Sequence, residues 1–172
     1  MNVFHFTKNI IHICLNNKKK VMNKVRIYLD DVRTPIDKDW VVVRSYEEFV
    51  EKVNEIGLHN IETISLDHDL GDTAMKEYFD NVSPNYTLDY NNIHEKTGYD
   101  AIKFLVSLFY NTNVERFNMS RRERKEHEFI FPKVYVHSAN PIGSANIIGY
   151  CNNFLMNEGQ DQTCVRVKIE HT

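Results

Sequence analysis

Cysteine is scarce in this chain of 172 residues: Cys14, Cys151 and Cys164 are odd in number, far apart and outside any CxxC pattern. That excludes a disulfide framework and a cysteine-based zinc site, and it fits reduced thiols in a cytoplasmic protein. A surplus of charge of either sign is also lacking, since 21 basic residues face 24 acidic ones for a formal net charge of −3. No general attraction to nucleic acid or to an anionic membrane follows, so any polyanionic ligand needs a local site. No apolar run is long enough to cross a bilayer. Residues 10–15 are apolar but far too short, and the basic run Lys18-Lys19-Lys20 follows them where a secretory signal would have its positive charge first. Internal repeats are absent. What is present is ordinary globular composition, 42% hydrophobic and 26% charged, in a length that suits one domain with a proper core.

Residues 1–23 read as an N-terminal extension, and two readings of it stand open. Met22 lies immediately before the first convincing strand, so a start there would leave the preceding residues upstream of the protein. Alternatively Phe4, Phe6, Ile10, Ile11 and Leu15 form the inward side of a short amphipathic helix docked on the domain. The domain itself spans 24–172. Strands are predicted at 24–29, 40–44, 61–66, 131–136 and 163–170, each a short run rich in β-branched and apolar residues. Helices are predicted at 46–56, capped by Ser45 and ended by Gly57, at 101–110, and from Gly143-Ser144 to about 156, closed by Gly159. Residues 72–96 are polar, without clear periodicity, and read as a long loop or insertion at the sheet rim. Strands alternating with helices predict a three-layer α/β domain around a mainly parallel sheet.

Acidic residues collect where the strands end. Val25-Arg26-Ile27-Tyr28-Leu29 stops at Asp30-Asp31, and Ile64-Ser65-Leu66 runs into Asp67-His68-Asp69. The fourth strand ends at His137-Ser138-Ala139-Asn140-Pro141. In a flavodoxin-like order, 2-1-3-4-5, the first, third and fourth strands are neighbours and these three clusters share one crevice at the C-terminal rim. Carboxylates gathered there repel one another unless a cation or a proton lies between them, and hard oxygen ligands suit Mg²⁺ or Mn²⁺. Asp30, Asp31, Asp67 and Asp69 are the candidate metal ligands. Ser138, Asn140 and the backbone N–H groups of Gly143 and Ser144 are candidate phosphate contacts, and Arg33 is a candidate bidentate clamp.

At these residues the chain resembles two-component receiver domains. The resemblance makes Asp30 and Asp31 the acidic metal pair, Asp67 the phosphoacceptor position, Ser138 the hydroxyl position and Lys168 the lysine. The local wording is closer still to the cyclic-phosphate-processing receiver domains, through Leu-Asp-Asp-x-Arg-x-Pro at 29–35, Ser-Leu-Asp-His-Asp-Leu-Gly at 65–71, Thr-Gly-Tyr-Asp at 97–100 and His-Ser-x-Asn-Pro at 137–141. The resemblance implies a cyclic phosphate as substrate. Departures from an ordinary receiver carry information. Residues 32–38 are too few for a helical crossover, so the first helix is missing or reduced to a turn. His68 and His137 flank the acceptor position, and histidine moves protons near neutral pH.

Each of these residues also has a plainer reading. Aspartates and Ser138 or Asn140 can simply form turns, a strand-end histidine can be hydrogen-bonded in place, and Arg33 can pair with a rim carboxylate. Lys168 can point to solvent, and the mixed-charge run 121–126 can be a solvated helix face or help hold a nucleic-acid strand. The leading expectation is a metal-dependent phosphoesterase acting on an RNA 2′,3′-cyclic phosphate end or a cyclic nucleotide or oligonucleotide, with Asp67, His68 and His137 catalytic. The alternative is a non-catalytic receiver-like module, phosphorylated on Asp67 or sequestering a nucleotide. Neither a membrane nor a stable protein partner is expected.

Overall fold

Strand alternation sorts the sheet into two chemically different faces. In the computed structural model, which describes residues 24–117 and 130–172, β1 (Val25–Leu29) lies between β2 (Trp40–Val43) and β3 (Ile61–Leu66). Beyond β3 come β4 (Lys133–Val136) and β5 (Val165–Arg166). Every pairing is parallel and the order is 2-1-3-4-5, the expected receiver-like sheet. Register places Ile27, Ile64 and Val134 in one row and Leu29, Leu66 and Val136 in another, all on one face. Tyr28, Ser65 and Tyr135 form a row on the opposite face.

The first face is the core. Its side chains pack with Phe49 and Val53 of α1 (Tyr46–Ile56), Ala101, Ile102 and Leu105 of α3 (Gly98–Phe117), and Ile147 and Cys151 of α4 (Pro141–Asn157). Each fully buried valine, leucine, isoleucine or phenylalanine among them contributes roughly 1.5–3 kcal/mol. The predicted ends of α1 are present: Ser45 accepts the Glu48 N–H at 3.2 Å, and Gly57 takes φ 79°. Over the second face Tyr28 meets the ring of His137 and the non-helical C-terminal tail, where the Tyr28 hydroxyl lies 2.6 Å from His171 Nε2. The tail is tied down by Ile36 N–H to Glu170 O at 3.0 Å and Thr172 N–H to Thr34 O at 3.1 Å. Extended chain thus supplies the covering on this side, and residues 30–39 link β1 to β2 without a helix.

Several boundaries differ from expectation, β4 among them, which begins at Lys133 rather than at 131. The fifth strand keeps ladder pairing only over Val165–Arg166, because the chain then diverges toward the 34–36 loop. Helix α3 spans Gly98–Phe117, beyond the predicted 101–110 at both ends. Helix α4 begins at Pro141 rather than at Gly143, because Asn140 caps it. The predicted loop 72–96 is largely helical: α2 (Asp72–Glu77) continues through a π turn (Tyr78–Val82) and one further turn (Ser83–Asn85). Its periodicity is masked because much of what pins it is polar. Buried Glu77 accepts from Asn81, Asn92 and the Asp89 N–H, and Glu95 accepts from the Thr73 hydroxyl and the Ala74 N–H. Cys151 and Cys164 are buried free thiols. Cys14, the rest of 1–23 and the run 121–126 lie outside the described residues. No described helix is long and apolar enough to cross a membrane.

Candidate functional site

Asp30 leaves β1 on the same side as Tyr28, Asp67 leaves β3 on the side of Ser65, and His137 leaves β4 on the side of Tyr135. Strand parity therefore aims these three side chains at one place. Asp30 is fully buried and its carboxylate is saturated with donors. Oδ1 accepts the N–H groups of Val32 (3.0 Å) and Arg33 (2.6 Å); Oδ2 accepts from Arg33 Nε (2.7 Å), His137 Nε2 (3.1 Å) and the Tyr28 hydroxyl (3.2 Å). Burial alone would push this acid up. The hydrogen bonds from His137 and the Arg33 backbone, with the Arg33 charge, outweigh it and hold Asp30 at about 2.

Asp31 has the opposite balance. Burial, followed by repulsion from Asp30 and Asp67, holds its carboxyl above the usual range. Oxygens of Asp30, Asp31 and Asp67 all lie within 4.8 Å of one another. Arg33 bridges two of them, with Nε on Asp30 and Nη2 2.8 Å from Asp67 Oδ2. Burial opposes its charge, but Asp67 and Asp30 raise it further, so the guanidinium is a fixed internal counter-ion.

The two predicted histidines part company. With its Nε2–H given to Asp30, His137 accepts from Ser65 Oγ at Nδ1 (2.7 Å), while its ring stacks on Tyr28 at 4.2 Å. This tautomer follows from the hydrogen-bond network. His68 shares the parity of Leu66 and turns to the helical side, fully buried. There its Nδ1 meets Asp69 Oδ1 at 2.6 Å and its Nε2 the Tyr90 hydroxyl at 3.1 Å. Asn140 joins this second cluster, with Nδ2 on Asp69 Oδ1 at 3.1 Å and Oδ1 accepting the Gly143 N–H at 2.8 Å. The Ser144 N–H goes to the Asn140 carbonyl. Gly143 and Ser144 thus spend their N–H groups on the cap, and a Cβ on Gly143 would stand 2.2 Å from His68 Cγ. Asp69, His68, Asn140, Gly143 and Ser144 lock β3, α4 and Tyr90 together beside the carboxylates.

Two cavities open at the rim. The smaller, about 260 Å³, is lined by Asp30, Asp31, Asp67 and Asp69 with Arg33 and Ala139. The larger, about 550 Å³, is lined by His137, Ser138 and Lys168 and shares Arg33 and Ala139 with the first. Ser138 Oγ accepts the Asn140 N–H at 3.2 Å. Lys168 is exposed beyond β5. Sequence reasoning missed Tyr28, Tyr90, Arg166 and His171. Arg166 Nη2 holds the carbonyls of Ser138 (2.7 Å) and Ala139 (3.2 Å), and His171 is held below its ordinary range by burial and then by Arg33 and His137. Parity was the available signal for Tyr28, which stands two residues before Asp30 on the same strand face.

A parallel sheet of this order, with its carboxylates convergent at the C-terminal rim beside a strand-end serine, defines a receiver-like α/β protein. Within that class the model described as cyclic-phosphate processing receiver domain matches residues 25–153, and the chain belongs to that family. No curated protein and no solved structure matches it.

Proposed function

We propose that the chain is a metal-dependent phosphoesterase that opens a cyclic phosphate, on an RNA 2′,3′-cyclic phosphate end or on a cyclic nucleotide or oligonucleotide. The observation that carries this reading is the convergence of Asp30, Asp31 and Asp67 within 4.8 Å, with Asp31 held above its usual range by burial and then by repulsion from the other two. Such a set is electrostatically incomplete, and its hard oxygens fit Mg²⁺ or Mn²⁺. A divalent cation held by Asp31 and Asp67, beside the donor-filled Asp30, would supply neutralisation of phosphate charge and a more acidic water. Arg33, at the wall the two cavities share, holds the Asp30 and Asp67 carboxylates in place, and Ser138 supplies a hydroxyl for a phosphate oxygen from the wall of the larger cavity. His137 acts through Asp30, fixing the carboxylate with one ring nitrogen while Ser65 fixes the other. His68 is a positioning residue that braces Asp69 and α4. In the reaction a water oxygen bonds to phosphorus as one ring P–O bond breaks, and the leaving ribose oxygen takes a proton. Asp67, at the receiver acceptor position, is the competing nucleophile and would pass through an aspartyl-phosphate. Single turnover in oxygen-labelled water, followed by mass analysis of product and protein, separates the two routes.

The reading is tested by incubating the protein with Mg²⁺ or Mn²⁺ and RNA ending in a 2′,3′-cyclic phosphate, and in parallel with cyclic mono- and oligonucleotides. Conversion to a phosphomonoester or to the linear product is expected, and it drops at least a hundredfold in Asp31→Asn and Asp67→Asn, about the loss that follows removal of one electrostatic group. Absence of turnover with every cyclic phosphate, together with labelling of Asp67 by a small phosphodonor, sinks the enzyme and leaves a phosphorylated switch.

A further inference from the structure

The larger rim cavity belongs in part to a segment outside the family match. Its walls include Arg166, Val167, Lys168, Ile169 and His171, whereas the match ends at residue 153. Among the described residues neither Arg166 nor Lys168 forms an ion pair, and Arg166 meets only carbonyl oxygens. Arg33, the cation shared with the acidic cavity, is already neutralised by Asp30 and Asp67. A surplus of positive charge therefore stands beside the aspartates, in a chain whose formal net charge is −3. The wall is also built rather than loose. Val167 N–H donates to Val136 O at 2.8 Å, the Glu170 carbonyl accepts from Ile36, and His171 forms an antiparallel bridge with Pro35.

We propose that this cavity is a second phosphate subsite, so that the substrate carries a further phosphate one nucleotide away from the cyclic one. The inference rests on the phosphoesterase reading and names its substrate class. A mononucleoside 2′,3′-cyclic phosphate has one phosphate and leaves Arg166 and Lys168 without an anion. An RNA terminus or a cyclic oligonucleotide supplies the second. A volume of about 550 Å³ gives room for a nucleotide unit, and the wall it shares with the acidic cavity, at Arg33 and Ala139, puts the two phosphates side by side. Arg166, with Nη2 spent on the Ser138 and Ala139 carbonyls, leaves its other guanidinium N–H groups and its charge for a diester, and Lys168 adds a point charge at the open side.

The experiment compares kcat/KM for cytidine 2′,3′-cyclic phosphate, its 5′-phosphorylated form, a dinucleotide ending in a cyclic phosphate, and a cyclic dinucleotide. The two-phosphate substrates are expected to exceed the first by about tenfold or more, an advantage that shrinks as salt is raised. The ratio falls toward one in Lys168→Gln, an exposed position that folds without this side chain, and in Arg166→Gln. A parallel titration measures binding of cytidine 3′,5′-bisphosphate against cytidine 3′-phosphate, without divalent cation and without turnover. Equal affinity for the two ligands, or a preference untouched by both variants, overturns the subsite. Loss of all turnover with the bisphosphate preference intact overturns the phosphoesterase reading instead. Preference for the dinucleotide over the cyclic dinucleotide marks an RNA end as the source; the reverse marks a cyclic oligonucleotide, and either supports the subsite.

Discussion

Both oxygens of the Asp30 carboxylate are occupied, by Tyr28, His137, Arg33 and two backbone N–H groups, whereas Asp31 beside it meets burial first and then repulsion from Asp30 and Asp67. These environments give the two acids opposite pH signatures. Asp30 is lowered from 3.8 to about 2, so its contribution is fully present above pH 4 and is lost as pH falls through its folded value. A shift of this size corresponds to about 2 kcal/mol. Asp30→Asn removes the charge that His137 and Arg33 point at, and the expected loss is about 3 kcal/mol in urea unfolding at pH 7 with chelator present. The gap between Asp30→Asn and the parent protein should narrow as the pH is lowered from about 4 to 2, because the parent then loses the same charge. Asp31 is raised, so its ionised form costs stability once the pH exceeds its folded value. Asp31→Asn is therefore expected to keep or raise the cation-free unfolding midpoint at pH 7 while removing activity. A lower midpoint for Asp31→Asn than for Asp30→Asn would show that the assigned environments are reversed.

Elements meet at this rim through two glycines that have no room for a side chain. A Cβ on Gly98, in the first turn of α3, would sit 1.9 Å from the Asp67 carbonyl oxygen, while one on Gly143 would meet the His68 ring. The obstacle is backbone in one case and a side chain in the other. Gly98→Ala must move the end of β3 and is expected to cost about 3 kcal/mol and to misplace Asp67. Gly143→Ala should cost about 2 kcal/mol, and in a double-mutant cycle with His68→Ala the two losses should fall short of their sum by about 1 kcal/mol. Additive losses would mean that the ring and the helix do not press on each other. Much at this scale was legible, because the β1, β3 and β4 runs are short and apolar and end in Asp30, Asp67 and His137. The direction of each strand-end side chain was legible too, had parity been followed: His68 shares the side of Leu66, and His137 that of Tyr135. The helical character of 72–85 was hidden because Glu77, an acid, is buried there with only Ala74 and Val82 for apolar company. His171 escaped notice because the tail reaches the site through pairing with residues 34–36, more than a hundred positions away in sequence, and Arg166 because one basic residue in an alternating strand gives no signal of its own.

At the scale of the molecule the rim carries a division of charge that the net value of −3 conceals. Three carboxylates crowd one cavity, Arg33 neutralises two of them from its edge, and further cations line the adjoining cavity. The fold holds these carboxylates together against the burial and the repulsion that raise Asp31. A cation bound by the native state alone stabilises it through mass action, by about 2.7 kcal/mol at a concentration a hundred times its dissociation constant. Protons compete for the same oxygens. As pH falls through the raised value of Asp31, protonation relieves the repulsion in the cation-free protein and blocks one ligand, so the two conditions converge. The gain in thermal midpoint on adding Mn²⁺ is accordingly expected to be largest near pH 7, to shrink steadily toward pH 4, and to be small at every pH in Asp31→Asn and Asp67→Asn. Differential scanning fluorimetry with Mn²⁺ or with chelator across that range measures it directly. A gain that stays constant with pH, or that survives both substitutions, would place the cation somewhere other than these aspartates.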